Sequence, residues 1–175
     1  MKMSRQQIAV LLRGKDKRSI GRSNEVATLV LREPRRFPDL IECLWSDDPI
    51  VRMRAADAAE KVSAAKPELL VPFRAELLGM LAEAEQIELR WHLALMVPRL
   101  SLTVPERQRA FTALHHYLDD RSSIVRTFAL QGLTELARKE PNLRSHVTGI
   151  LEESLRSGTA AMKARARKLL KEMKD

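Results

Sequence analysis

The sequence predicts an all-α protein, a right-handed α-α superhelix of about five helical hairpins. Three observations predict it. Ala, Leu, Glu, Lys and Arg together make up roughly half of the 175 residues, a helix-favouring composition. One apolar spacing recurs along the chain at intervals of 38, 36 and 37 residues. Proline and capping residues fall at the ends of the segments that this spacing marks out. Gly numbers only 6, and Val and Ile are sparse, so a sandwich or barrel with many tight turns is not expected.

The repeat is clearest in Val51, Ala55, Ala58, Ala59 and Val62, a 0, +4, +7, +8, +11 pattern that lines one face of a helix. Leu89, Leu93, Met96, Val97 and Leu100 repeat it. Val125, Ala129, Gly132, Leu133 and Leu136 follow, then Met162, Ala166, Leu169, Leu170 and Met173. A fainter copy holds Gly21, Arg22, Glu25, Thr28 and Leu29. Each of these B helices is preceded by an A helix. In chain order the A helices carry Ile8, Leu11 and Leu12; Leu40, Ile41 and Leu44; Leu70, Phe73, Leu77, Leu78 and Leu81; Phe111, Leu114 and Leu118; and Val147, Ile150, Leu151 and Leu155. The expected repeats are 1–33, 34–69, 70–103, 104–142 and 143–175, in one domain over 1–175 with no linker.

Punctuation supports each pair. Pro38, Pro72 and Pro105 stand near A-helix starts, where a missing N–H costs little. Asp48-Pro49 reads as an N-cap followed by the first helical residue, and Ser122 and Thr159 are further caps. Pro34, Pro67 and Pro141 stop B helices. Pro98 interrupts the third B helix near Met96 or Val97 and leaves 97–103 irregular.

The segment Ser46-Asp47-Asp48-Pro49-Ile50-Val51-Arg52-Met53-Arg54-Ala55-Ala56 resembles the HEAT repeat, whose core is a turn with Asp and Pro, then Val-Arg and paired alanines. Asp119-Asp120-Arg121-Ser122-Ser123-Ile124-Val125-Arg126-Thr127-Phe128-Ala129 is a second match. The resemblance implies stacked hairpins whose B helices line a concave face, and a binding scaffold rather than a catalyst. It also implies that Arg52, Arg90 and Arg126 tie turns to helices.

Placing the repeated apolar positions inward leaves Met53, Asp57 and Glu60 outward on the second B helix. Trp91 and Leu95 are outward on the third, Thr127, Gln131 and Thr134 on the fourth, and Ala164, Lys168 and Lys171 on the fifth. Trp91 and Leu95, one turn apart, are the expected apolar anchors for a protein partner or peptide segment. Met53, Arg54, His92 and Gln131 complete the expected concave contact set.

Charge sits at the ends. Residues 1–36 carry 10 basic and 3 acidic groups, residues 37–137 carry 11 and 15, and residues 138–175 carry 10 and 5, within a net charge of +8. Lys15, Lys17, Arg18, Arg22, Arg32, Arg35 and Arg36 form the early group. Lys163, Arg165, Arg167 and Lys168 are the expected contacts for phosphate or an acidic partner, with Lys171 and Lys174 beyond. The alternative function is therefore weak, non-specific binding of nucleic-acid backbone. A third is a DNA-repair glycosylase of the same architecture, with Asp57, Trp91 and Lys168 as its acid, aromatic and cation. An enzyme is not the expectation. The four histidines lack ligand spacing, no phosphate loop occurs, and the lone Cys43 reads as packing in an A helix. No metal or cofactor is called for. No apolar run reaches the length of a membrane span, and Ile8–Leu12 behind Lys2 and Arg5 is short for a signal peptide. The expected location is the cytoplasm.

Overall fold

The computed structural model describes residues 5–16 and 18–174. Among these, 83% are helical and none lies in a strand, so the protein is all-α. The chain forms two compact units, Met1–Pro72 and Phe73–Asp175.

The first unit contains α1 (Arg5–Leu12), α2 (Ser23–Arg32), α3 (Phe37–Glu42) and α4 (Pro49–Ala65). Helix α4 is the spine: α1, α2 and α3 all pack on it. Its start follows the chemistry of Asp48-Pro49. The Asp48 carboxylate accepts from the Ile50 N–H at 2.8 Å, and Pro49 fills a position whose N–H would otherwise lack a partner. The alanines Ala55, Ala56, Ala58 and Ala59 are fully buried, which keeps side-chain volume small where helices meet. Helix α2 ends at Arg32, before Pro34, and α4 ends before Pro67.

The second unit contains α5 (Arg74–Glu83), α6 (Ile87–Met96), α7 (Val104–His116), α8 (Ser123–Lys139), α9 (Arg144–Ser157) and α10 (Ala160–Glu172). Helix α8 is its centre and touches α6, α7, α9 and α10. Consequently Ala129, Leu130, Leu133 and Ala137 have no exposed surface. Gly132 lets α8 come close to α6: a Cβ at this position would stand 2.5 Å from the Ala94 carbonyl oxygen. Pro98 acts as the sequence expects. Helix α6 stops at Met96 and a short 3₁₀ turn covers Val97–Arg99. Lys139, at the end of α8, donates to the carbonyls of Pro98 at 2.7 Å, Arg99 at 3.2 Å and Leu100 at 3.1 Å, which satisfies the irregular backbone there.

The capping chemistry is partly as expected. Thr159 accepts from the Met162 N–H at 3.4 Å, but Ser122 makes no side-chain cap; its own N–H donates to Asp120 at 2.7 Å instead. Thr103 and Glu106 form a reciprocal capping box at the start of α7. No described helix is long and apolar enough to cross a membrane.

Candidate binding surface

The single-face wheel fails first at Met53, Asp57, Thr127 and Thr134. All four are buried, not outward. A B helix in these units is packed on more than one side, so its solvent face is narrower than the wheel assumes.

Arg54 is a structural residue. It is 4% exposed, and its guanidinium donates to four backbone carbonyls: Leu12 at 3.1 Å, Arg13 at 2.8 Å, Asp16 at 3.0 Å and Ser19 at 3.0 Å. The chain between α1 and α2 winds around this one side chain. Gly14 and Gly21 pass so close to the guanidinium that neither has room for a Cβ, and Gly21 also has φ +54°. Asp57 is equally committed. It accepts from Ser23 Oγ and from Lys61 Nζ at 2.5 Å, which ties α2 to α4. Cys43 is buried in the turn after α3, and its thiol donates to the Asp39 carbonyl at 3.3 Å.

In the second unit the expected anchors are half-buried on α6. Trp91 stacks on Phe128 of α8 with ring centroids 5.1 Å apart and planes at 23°. The Arg165 guanidinium of α10 lies over the same Phe128 ring at 5.2 Å. Three B helices thus contribute Trp91, Phe128 and Arg165 to one aromatic–cation line, a geometry in which ring stacking and cation–π attraction reinforce each other. Sequence reasoning missed Phe128. The signal was present: 91, 128 and 165 are each 37 residues apart. Leu95 is half-buried one turn beyond Trp91. His92, by contrast, is 2% exposed, and its ring sits 2.5 Å from the Glu88 carbonyl, so it supports α6 rather than facing solvent. The more exposed tryptophan is Trp45, at 48%, in the turn between α3 and α4.

Polar groups frame the line. Arg165 donates to Gln131 at 2.9 Å, and Gln131 donates to Glu135 at 2.9 Å. Arg138 bridges Glu135 and Glu172, each at 2.7 Å, and Lys168 stands 3.7 Å from Glu172. Of the expected phosphate contacts, Arg165 and Lys168 are therefore engaged by protein groups. Among the described residues Arg167 has no ion-pair partner, and it is exposed; Lys163 is half-buried.

Three of the early basic residues are paired. Arg22 pairs with Glu25 at 2.8 Å, and Arg35 and Arg36 share Glu33 at 3.1 and 2.9 Å. These guanidinium hydrogen bonds hold the Glu25 and Glu33 carboxyls below the usual carboxylate range. Lys17 lies outside the described residues, as do Lys2 and the side chain of Arg5. Among the described residues no group of His, Cys, Asp and Glu could hold a metal ion.

Tyr117 shows how the turns are built. Its hydroxyl donates to the Leu81 carbonyl at 2.5 Å, and Arg90 sits over its ring at 5.7 Å while pairing with Asp120. Burial pushes the phenol well above its ordinary pKa. Arg52 and Arg90 do tie turns to helices. Arg52 donates to the Ser46 carbonyl at 2.6 Å, and Arg90 to the Ala84 carbonyl at 2.6 Å.

Comparison of the chain with protein-family profiles finds no matching family, and comparison with curated protein sequences finds no similar protein.

Proposed function

We propose that the chain is a non-catalytic, cytoplasmic binding scaffold of the HEAT-like kind, its hairpins stacked as a right-handed superhelix. On this reading the B-helix face of the second unit holds a segment of a partner protein. The observation that carries the reading is the Trp91–Phe128–Arg165 line. Tryptophan and arginine are the side chains most often found at the energetic centre of protein interfaces, and here they are pre-positioned on three rigid helices. Leu95 supplies an apolar neighbour. Gln131, Glu135 and Arg138 supply a polar rim. The reading includes no catalytic step.

The test is affinity capture with the intact chain, with and without nuclease, beside Trp91→Ala and Phe128→Ala. A protein partner retained after nuclease and weakened by about 2 kcal/mol in each variant is the expected result. Each variant should lose more stability than the roughly 1 kcal/mol of one ring stack, because the half-buried ring area is lost as well, but less than the roughly 3–5 kcal/mol of a fully buried ring. A partner indifferent to both rings removes this face from consideration.

A second reading, binding of nucleic-acid backbone, is favoured by the exposed cations Arg167 and Lys171 on α10, which no acidic group pairs among the described residues. It requires binding that falls steeply as salt rises, since each phosphate neutralised releases counterion. Replacing Lys163, Arg167, Lys168 and Lys171 by Gln should flatten that dependence.

A further inference from the structure

The fourth residue of each of α4, α6 and α8 is an arginine: Arg52, Arg90 and Arg126. Arg52 and Arg90 close onto turn carbonyls, and Arg90 also pairs with Asp120. Arg126 does neither. Its Nε is buried with no protein partner, and the guanidinium makes no ion pair among the described residues. The sequence explains the difference. Asp120 stands two residues before Ser122, which precedes α8. Two residues before Thr159, which precedes α10, stands Ser157. A hydroxyl thus replaces the carboxylate that Arg126 would pair with in the same way. That hydroxyl is occupied: Ser157 Oγ donates to Glu153, at 3.1 Å to its carbonyl and 2.8 Å to its carboxylate.

Arg126 lines a cleft of about 610 Å³ together with His115, His146, Asp119, Ser157 and Glu153. This volume lies in the ordinary range for small-molecule sites, about 300–1,000 Å³. The His115 and His146 rings stand 5.9 Å apart, and Phe111 packs against both, at 6.2 and 5.3 Å. They present flat, weakly polar walls in the cleft that holds the Arg126 guanidinium, which makes no ion pair among the described residues. Glu153 is ionised, because Ser157 and Arg156 hold its carboxyl below the usual range, and Asp119 adds a second acid at the rim. These two charges disfavour a multiply charged anion.

We propose that this cleft binds a small, singly charged organic acid. The ligand's carboxylate takes the place on Arg126 that Asp120 takes on Arg90. A planar fork of N–H donors suits a carboxylate bidentately. The ligand's apolar body lies against the histidine rings. This site shares no residue with the Trp91 face, and the inference stands independently of the scaffold reading.

The test titrates the intact chain with benzoate, benzamide and inorganic phosphate and follows the Arg126 Nε–Hε signal by nuclear magnetic resonance. Benzoate should shift that signal saturably, benzamide should leave it in place, and phosphate should bind more weakly than benzoate. Arg126→Gln and Ser157→Asp should each weaken benzoate by about tenfold or more, as expected for loss of a charge-assisted hydrogen bond. The second variant keeps Arg126 but supplies, in the turn before α10, a carboxylate at the position equivalent to Asp120, so it reports even where Arg126→Gln folds poorly. Equal benzoate affinity in wild type and Ser157→Asp, an equal response to benzamide, or tighter binding of phosphate would each overturn the assignment.

Discussion

Arg54 holds the segment between α1 and α2 through its guanidinium. One guanidinium satisfies four carbonyls of the segment that joins α1 to α2, and two glycines are needed to let the backbone approach it. A buried carbonyl stripped of its donor carries the full desolvation penalty, about 1–3 kcal/mol each before relaxation. Arg54→Ala should therefore cost about 3 kcal/mol or more in urea-induced unfolding, after partial hydration of the freed carbonyls. A loss below about 0.5 kcal/mol, the range of surface changes, would return Arg54 to the concave contact set expected from the sequence.

At the scale of elements, Gly132 and the start of α7 give opposed lessons about propensity. Alanine is about 1 kcal/mol better than glycine inside an exposed helix. In α8 the added Cβ would meet the Ala94 carbonyl at 2.5 Å, and it would also meet Leu114 at 3.0 Å. Overpacking of this kind costs about 1–3 kcal/mol, and the obstructing atom is backbone that belongs to α6. Gly132→Ala should then be destabilising by about 1 kcal/mol net, read from thermal melting; a stabilised variant would show that α6 and α8 separate easily. The capping box of α7 is governed by charge. Hydrogen bonds from the Thr103 backbone and hydroxyl, with Arg74 at 3.2 Å, hold the Glu106 carboxyl below its ordinary range. A depressed folded-state pKa means that the contribution is present above the unfolded value, about 4.3, and disappears as pH falls through the folded value. The stability gap between wild type and Glu106→Gln should be constant from about pH 7 to pH 5 and shrink below about pH 4. A gap independent of pH would mean that the box works equally well with a neutral side chain.

For the molecule as a whole, the second unit depends on its final hairpin. Helices α9 and α10 both pack on α8, where Leu133 is 0% and Leu136 1% exposed. A chain cut after Pro141 uncovers part of that apolar face, and a helical array without its polar terminal hairpin loses solubility. The shortened chain should aggregate at concentrations where the full chain does not, and melt earlier by circular dichroism. Equal solubility and melting would count against mutual burial of the hairpins. The charge distribution belongs to this scale too. The ends keep their net positive charge in space, since Glu25, Glu33 and Glu172 are already counted within it; the structure adds that these acids engage Arg22, Arg35, Arg36, Arg138 and Lys168.

The all-α class, the position of most helices and their ends were legible in the sequence, because they rest on local physics. Apolar residues at helical period, Asp48-Pro49 and the prolines at 34, 67, 98 and 141 act within a turn or two of their own position. What only the tertiary structure decided is which residues face solvent. Met53, Asp57, Thr127 and Thr134 sit on the outward side of a single-face wheel, yet neighbouring helices cover them. The role of Arg54 depends on carbonyls 35 to 42 residues away in sequence, and the stacking of Trp91 on Phe128 joins two helices. The unpartnered state of Arg126 was likewise invisible locally, since it follows from what the next turn lacks. Periodicity specifies how a helix meets the first partner it packs against; a helix packed on several sides has its surface assigned by all of them at once.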